Sequence, residues 1–220
     1  MSGARFPLVL LPGPDTSVTD VARLVRTLPA ALRPVVVRPA ADGARTRESV
    51  RALPDLVDGL VRQVRDAGVS DPFALHGWGA GAYLGLALAG AFERAVGHAV
   101  CTTLFVSDAA APGWVSARLD STPSPDGLLT QAVRRTVTES RLVVCTGQAS
   151  AGIPAAGLEP WCRHSTSGTE FVTLPPGFGT DPASALSRLI AARLLPAAVR
   201  AARMPVARVY EPDVAARSGP

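Results

Sequence analysis

The chain has 220 residues, 47% of them hydrophobic, and a formal net charge of +4 at pH 7. That length and apolar content suit one sizeable core better than two small ones. All basic residues are arginines, scattered and not interleaved with aromatic residues, so the charge gives no nucleic-acid footprint. No stretch approaches the roughly 18 uninterrupted apolar residues of a membrane span, and Phe6–Leu11 is too short for a secretion signal, so a cytoplasmic protein without membrane contact is expected.

Phe6–Leu11 reads as a buried strand stopped by Pro12-Gly13-Pro14, after which Ser17 to Asp20 offers a helix start with Val21, Leu24, Val25 and Leu28 on one face. Pro34–Arg38 is a second, β-branched strand. Val50, Leu53, Leu56, Val57, Leu60, Val61 and Val64 then recur at helical spacing, punctuated by Pro54. Pro72–His76 is a third strand, joined by a glycine-studded turn to an Ala/Leu-rich helix ending near Arg94, and Val100–Val106 is a fourth strand. Residues 109–127, rich in proline and glycine, read as a loop or reduced lid before a helical stretch, Leu128–Thr138. A strand at Arg141–Cys145, a short helix at Leu158–Arg163, a strand at Glu170–Leu174 and a final helix capped by Asp181-Pro182 complete the pattern.

Strands alternating with helices of this length predict an α/β domain whose mainly parallel sheet is covered by helices on both faces. Residues 1–203 form that domain in this reading, and 204–220 form a C-terminal tail. Cys101, Cys145 and Cys162 have no metal-ligand spacing and predict neither a disulfide nor a metal site. A dinucleotide reading of Gly77-x-Gly79-x-x-Ala82 is disfavoured, because the fingerprint opens a first βαβ unit and two units precede it here. No cofactor is expected.

The five positions Gly77, Trp78, Gly79, Ala80 and Gly81 have the strand–turn–helix context of a G-x-S-x-G nucleophile elbow, with glycine where the serine would stand. Together with Leu10-Leu-Pro-Gly-Pro14, the strand-end run Leu104 to Pro112 and the segment Trp161-Cys-Arg-His-Ser165, this resembles the type II thioesterases, α/β-hydrolases that serve polyketide synthases and nonribosomal peptide synthetases. The resemblance covers about residues 6–195. It implies a single-domain α/β-hydrolase-like fold, an oxyanion-hole amide from the Pro-Gly loop, and substrate contacts at Gly13, Pro14, Trp78, Ala80 and Tyr83.

The departures from that family fall on its chemistry. The elbow position is Gly79; the family's acid, a little upstream of the tryptophan, falls near Ser150; and the family's histidine after the last strand falls at Gly177. Nucleophile, acid and base are thus absent together from the positions the resemblance assigns them. Two readings follow. In one, the chain is a thioesterase-like protein of natural-product biosynthesis that binds an acyl chain or an acyl carrier protein without hydrolysis. In the other, it is a cyclase or isomerase acting on a polyketide- or peptide-derived intermediate, with Asp108 or His76 as acid/base. Against these stand blander readings: Asp108 as a strand-end carboxylate opening a turn, His76 as a hydrogen-bonded core residue, and Tyr83 as packing. Ser107 and the Cys145–Thr146 strand end complete the candidates at the same edge.

Overall fold

A computed structural model describes residues 5–39, 53–69, 72–98, 100–118, 125–147, 152–174 and 182–195. The chain runs β1 (Phe6–Leu11), α1 (Val18–Thr27), β2 (Leu32–Val36), α2 (Leu53–Asp66), β3 (Phe73–Trp78), α3 (Ala80–Val96), β4 (Cys101–Ser107), α4 (Pro112–Arg118), α5 (Pro125–Val133), β5 (Arg141–Thr146), α6 (Ala155–Leu158), a 3-10 turn (Glu159–His164), β6 (Thr169–Thr173) and α7 (Pro182–Leu194). The strands form one sheet in the order β2-β1-β3-β4-β5-β6, and every pairing is parallel. This is the α/β architecture expected from the sequence.

The two-residue period of the strands divides the core between the two faces of the sheet. Val9, Leu11, Leu75, Leu104, Val106, Leu142 and Val144 point toward α2 and α3, where they meet Val57, Leu60, Val64 and the apolar side of α3. Leu8, Leu10, Ala74, Phe105, Val143 and Cys145 point the other way, onto Leu24 of α1 and Leu186, Leu189 and Ile190 of α7. Because helices cover both faces, the central strands read as continuous apolar runs rather than alternating ones. Edge strand β2 is only half-buried, which suits Pro34: a residue without an N–H is tolerated where one side of the strand has no ladder to complete.

Several boundaries differ from the sequence reading. β2 begins two residues before Pro34, because the edge admits the proline into the strand. The stretch expected to be a loop or reduced lid contains α4, and α5 starts at Pro125 and ends at Val133 rather than running to Thr138. Leu129 and Val133 are buried in the same core as Trp161, so this connection is packed onto the domain. The short helix expected at Leu158–Arg163 is α6 followed by the 3-10 turn. Val50, Asp181 and the proposed domain boundary at 203/204 lie outside the described residues.

The topology directs attention to one place. Chain order leads from β1 outward to β2, then back across β1 to β3 and onward to β6, so the direction of winding reverses between β1 and β3. In open α/β sheets, ligands bind at the carboxyl ends of the strands at such a reversal. The turns after β1 and β3, carrying Gly13 and Gly79, meet there.

Candidate active site

The turn after β3 is one residue long. The strand ends at Trp78, Gly79 adopts φ 50° and ψ −121°, and α3 starts at Ala80. Gly79 N–H donates to the Ser107 carbonyl at 2.9 Å, and its own carbonyl accepts from Ala82 N–H at 3.0 Å. The turn is therefore tied both to the end of β4 and to the first turn of the helix. A positive φ is sterically free for glycine.

The flanking glycines serve a different need. A Cβ on Gly81 would lie 2.1 Å from the Leu11 carbonyl oxygen, one on Gly77 would lie 2.5 Å from the Cα of Ala82, and one on Gly13 would lie 2.7 Å from the Trp78 carbonyl oxygen. Backbones approach so closely at this crossing that no side chain fits. A Cβ on Gly79, by contrast, would meet nothing within 4 Å among the described residues. It would project clear of the described residues at the strand edge, where a nucleophile elbow presents its reacting atom.

Gly13 starts a turn closed by a 3.1 Å hydrogen bond from Thr16 N–H to the Gly13 carbonyl, with Pro14 exposed at its first corner. Trp78 is half-buried and Ala80 buried. Tyr83 is buried, stacks on Trp161 at a centroid distance of 6.1 Å, and donates its hydroxyl to the Ala110 carbonyl at 2.9 Å. Little of its surface remains for a substrate, so its position fits the packing reading.

Asp108 follows β4 directly. It is exposed, and it is the non-glycine residue with positive φ, 55°, among the described residues. Asp tolerates this left-handed conformation better than most residues, yet it remains uncommon. The three residues after it are held from three directions: Trp161 Nε1–H donates to the Ala109 carbonyl at 3.0 Å, Tyr83 to that of Ala110, and Ala111 N–H donates to the Gly157 carbonyl. Sequence reasoning noticed Trp161 only as part of a resemblance. An indole in an otherwise apolar core is itself a signal, because its N–H must find an acceptor.

His76 lies on the opposite face of the sheet from α3, fully buried, with Nε2 2.9 Å from the Ser107 Oγ and its ring edge-on to Trp78 at 3.9 Å between centroids. Its Nδ1 has no hydrogen-bond partner among the described residues. Burial lowers its pKa to about 3, so the ring is neutral at ordinary pH and a weak base. Cys145 lies beside Ser107 on β5, and burial pushes its thiol up to about 12. Neither group is matched to proton transfer near neutral pH. Cys101, Cys145 and Cys162 are free thiols, the first two buried. Among the described residues, no three His, Cys, Asp or Glu side chains gather as a metal site requires. Ser150 and Gly177, which stand at the family's acid and histidine positions, lie outside the described residues.

The fold that carries this elbow is shared with known proteins. RedJ, the thioesterase from the prodiginine biosynthetic pathway in Streptomyces coelicolor, is similar in structure at a TM-score of 0.61 and 18% identity over 87% of this chain and 90% of that one. BorB, a type II thioesterase from the borrelidin biosynthetic cluster, is similar at a TM-score of 0.62 and 20% identity over 88% and 92% of the two chains. The Vlm2 thioesterase domain, in a structure bound with a dodecadepsipeptide, is similar at 0.59 and 16% over 86% and 93%. These identities establish a shared fold. No curated protein matches the sequence. The profile of the thioesterase domain family matches residues 6–147, which is more than half of the chain. The chain belongs to the thioesterase domain family.

Proposed function

We propose that this chain is an accessory member of the family in natural-product biosynthesis, binding an acyl or peptidyl intermediate, free or on a carrier protein, without hydrolysing its thioester. The observation that carries the reading is Gly79: the elbow is formed, its crossing is intact, and the apex position, clear of the described residues, holds no atom able to attack a carbonyl. The similar proteins RedJ and BorB are named as thioesterases of biosynthetic pathways, and Vlm2 has been seen with a depsipeptide bound, which supports this class of ligand. Among the described residues, no helix is long and apolar enough to cross a membrane.

Without a nucleophile at the apex or a base at the family's position, a bound thioester is polarised by the elbow's backbone alone, and water must attack unassisted. The test incubates the purified protein with acyl-loaded and unloaded carrier protein. Native mass spectrometry should show a complex favouring the loaded form, while intact mass shows the acyl group lost only at the uncatalysed rate. Equal affinity for loaded and unloaded carrier, or rapid loss of the acyl group, would contradict the reading.

Asp108 favours a second reading, a cyclase or isomerase. Its positive φ and the three tethers on the residues after it hold an exposed carboxylate at the ligand-binding edge of the sheet. In that reading Asp108 moves the proton, and His76 acts as a neutral hydrogen-bond partner of Ser107 rather than as a proton carrier. A substrate that changes isomer but not mass, with conversion lost in Asp108→Asn, would support it; conversion unaltered by that change would remove Asp108 from the mechanism.

A further inference from the structure

We infer that Pro14 leaves the elbow with a single backbone donor for an oxyanion, so that the chain lacks the electrostatic half of acyl transfer as well as the nucleophile. The inference rests on the non-hydrolytic reading and gives it a second, separate cause. An elbow of this kind stabilises the tetrahedral oxyanion with two N–H groups, one from the residue after the nucleophile and one from the turn after the neighbouring strand. The first is present here as Ala80 N–H, at the start of α3. Gly13 lies over it, since a Cβ on Gly13 would stand 3.4 Å from the Ala80 nitrogen.

The second donor has to come from the Gly13–Thr16 turn. Gly13's own nitrogen sits at the strand–helix crossing, 3.1 Å from where a Cβ on Gly81 would stand. The next nitrogen belongs to Pro14, at the first corner of the turn closed by Thr16 N–H to the Gly13 carbonyl. A proline nitrogen carries a ring carbon where other residues carry hydrogen. A carbonyl resting over the elbow therefore meets the Ala80 N–H and no donor from this corner. Removing one such donor from an active acyl-transfer site lowers turnover by about 10²–10³-fold, so a restored nucleophile alone recovers little.

The experiment installs a reporter thiol with Gly79→Cys and compares it with Gly79→Cys/Pro14→Ala. With p-nitrophenyl butyrate, the thiolate sulfur attacks the carbonyl carbon, a C–S bond forms, the C–O bond breaks, and p-nitrophenolate leaves and is read by its colour. With iodoacetamide, the same thiolate displaces iodide at a saturated carbon and no oxyanion develops. Pro14→Ala should speed acylation by at least about tenfold while leaving alkylation within about twofold. Acylation rates that match with and without Pro14 would overturn the inference, placing the second donor elsewhere, for example at the Asp15 amide. Alkylation rising in step with acylation would overturn it too, because the gain would then be access. Should Gly79→Cys fold poorly, Gly79→Ser is treated with a fluorophosphonate in added imidazole, which takes the serine proton as the P–O bond forms and fluoride leaves; the phosphoryl oxygen reads the same donors, with the same gain expected and equal rates again decisive against. Thioester turnover by the unaltered Gly79 protein is the separate outcome that would sink the non-hydrolytic reading.

Discussion

Gly77 and Gly81 stand at a crossing where a Cβ would lie 2.5 and 2.1 Å from backbone atoms, whereas one on Gly79 between them would meet nothing within 4 Å among the described residues. The outer two are demanded by packing and the middle one by nothing that packs among the described residues. What differs along this five-residue turn is therefore the kind of constraint: close approach of strand and helix fixes the frame, and chemistry alone decides the residue at the apex. Here the frame is kept while the apex has no side chain. A fold can hold the shape of an acyl-transfer site without its reacting atom, since function resides in the site and not in the architecture.

The sharpest way to break this contrast is to place a side chain at the crossing. Gly81→Val should destabilise the protein by about 3 kcal/mol, since the added carbons meet the Leu11 carbonyl and the turn at Gly13, both backbone. Urea unfolding measures it, and a change near zero would show that the crossing can open.

The next effect is acid sensitivity on the other face of the sheet. His76 has a folded pKa of about 3 against 6.5 for the free side chain, so between these values the unfolded chain binds a proton that the native one refuses. The contribution of His76 to stability should be constant above about pH 6.5 and be lost progressively as pH drops below it, flattening near pH 3. His164, whose pKa burial also lowers, adds to the slope in the same direction. Denaturant unfolding from about pH 8 to about pH 4, compared with His76→Phe, separates the two: the variant should keep only the shallower dependence. An equal slope in both proteins would mean that His76 takes up its proton in the native state.

The loop after β4 gives a smaller effect. Tyr83→Phe leaves the Ala110 carbonyl without its donor at no cost in volume, and should lower stability by about 1–2 kcal/mol. If Asp108 is a working group, the same change should also alter the pH profile of conversion, which a purely structural contact would leave unmoved. The smallest effect is at the apex, where Gly79→Ala should cost about 1 kcal/mol, through positive φ alone. A loss as large as that of Gly81→Val would erase the distinction between the two kinds of glycine.

Much of this was legible in the sequence, for reasons that also explain the exceptions. The buried strands read correctly because parallel strands covered on both faces leave uninterrupted apolar runs, and α1 because Ser17 and Asp20 cap it: the Ser17 Oγ accepts from Asp20 N–H at 3.0 Å. Helix α4 escapes a sequence reading although Pro112 occupies its first position, a helix-start signal outweighed by its brevity and by the glycine beside it. Period-two alternation puts His76 on the same face as Ala74 and so beneath α1 and α7. Its burial follows from register, but its bond to Ser107 depends on how β3 and β4 align, which no local pattern encodes. The positive φ of Asp108 and its anchors at Tyr83, Trp161 and Gly157 join segments far apart in the chain, and only tertiary structure brings them together.

The most direct test of the central claim is single-turnover incubation of the unaltered protein, in excess, with an acyl-loaded carrier protein, reading thioester loss by intact mass. Thioester decay that matches the protein-free control, with the acyl-carrier complex still detectable, is the result predicted by a formed elbow with glycine at its apex. Thioester loss well above the control, abolished by substitution of one serine, cysteine or aspartate, would contradict it.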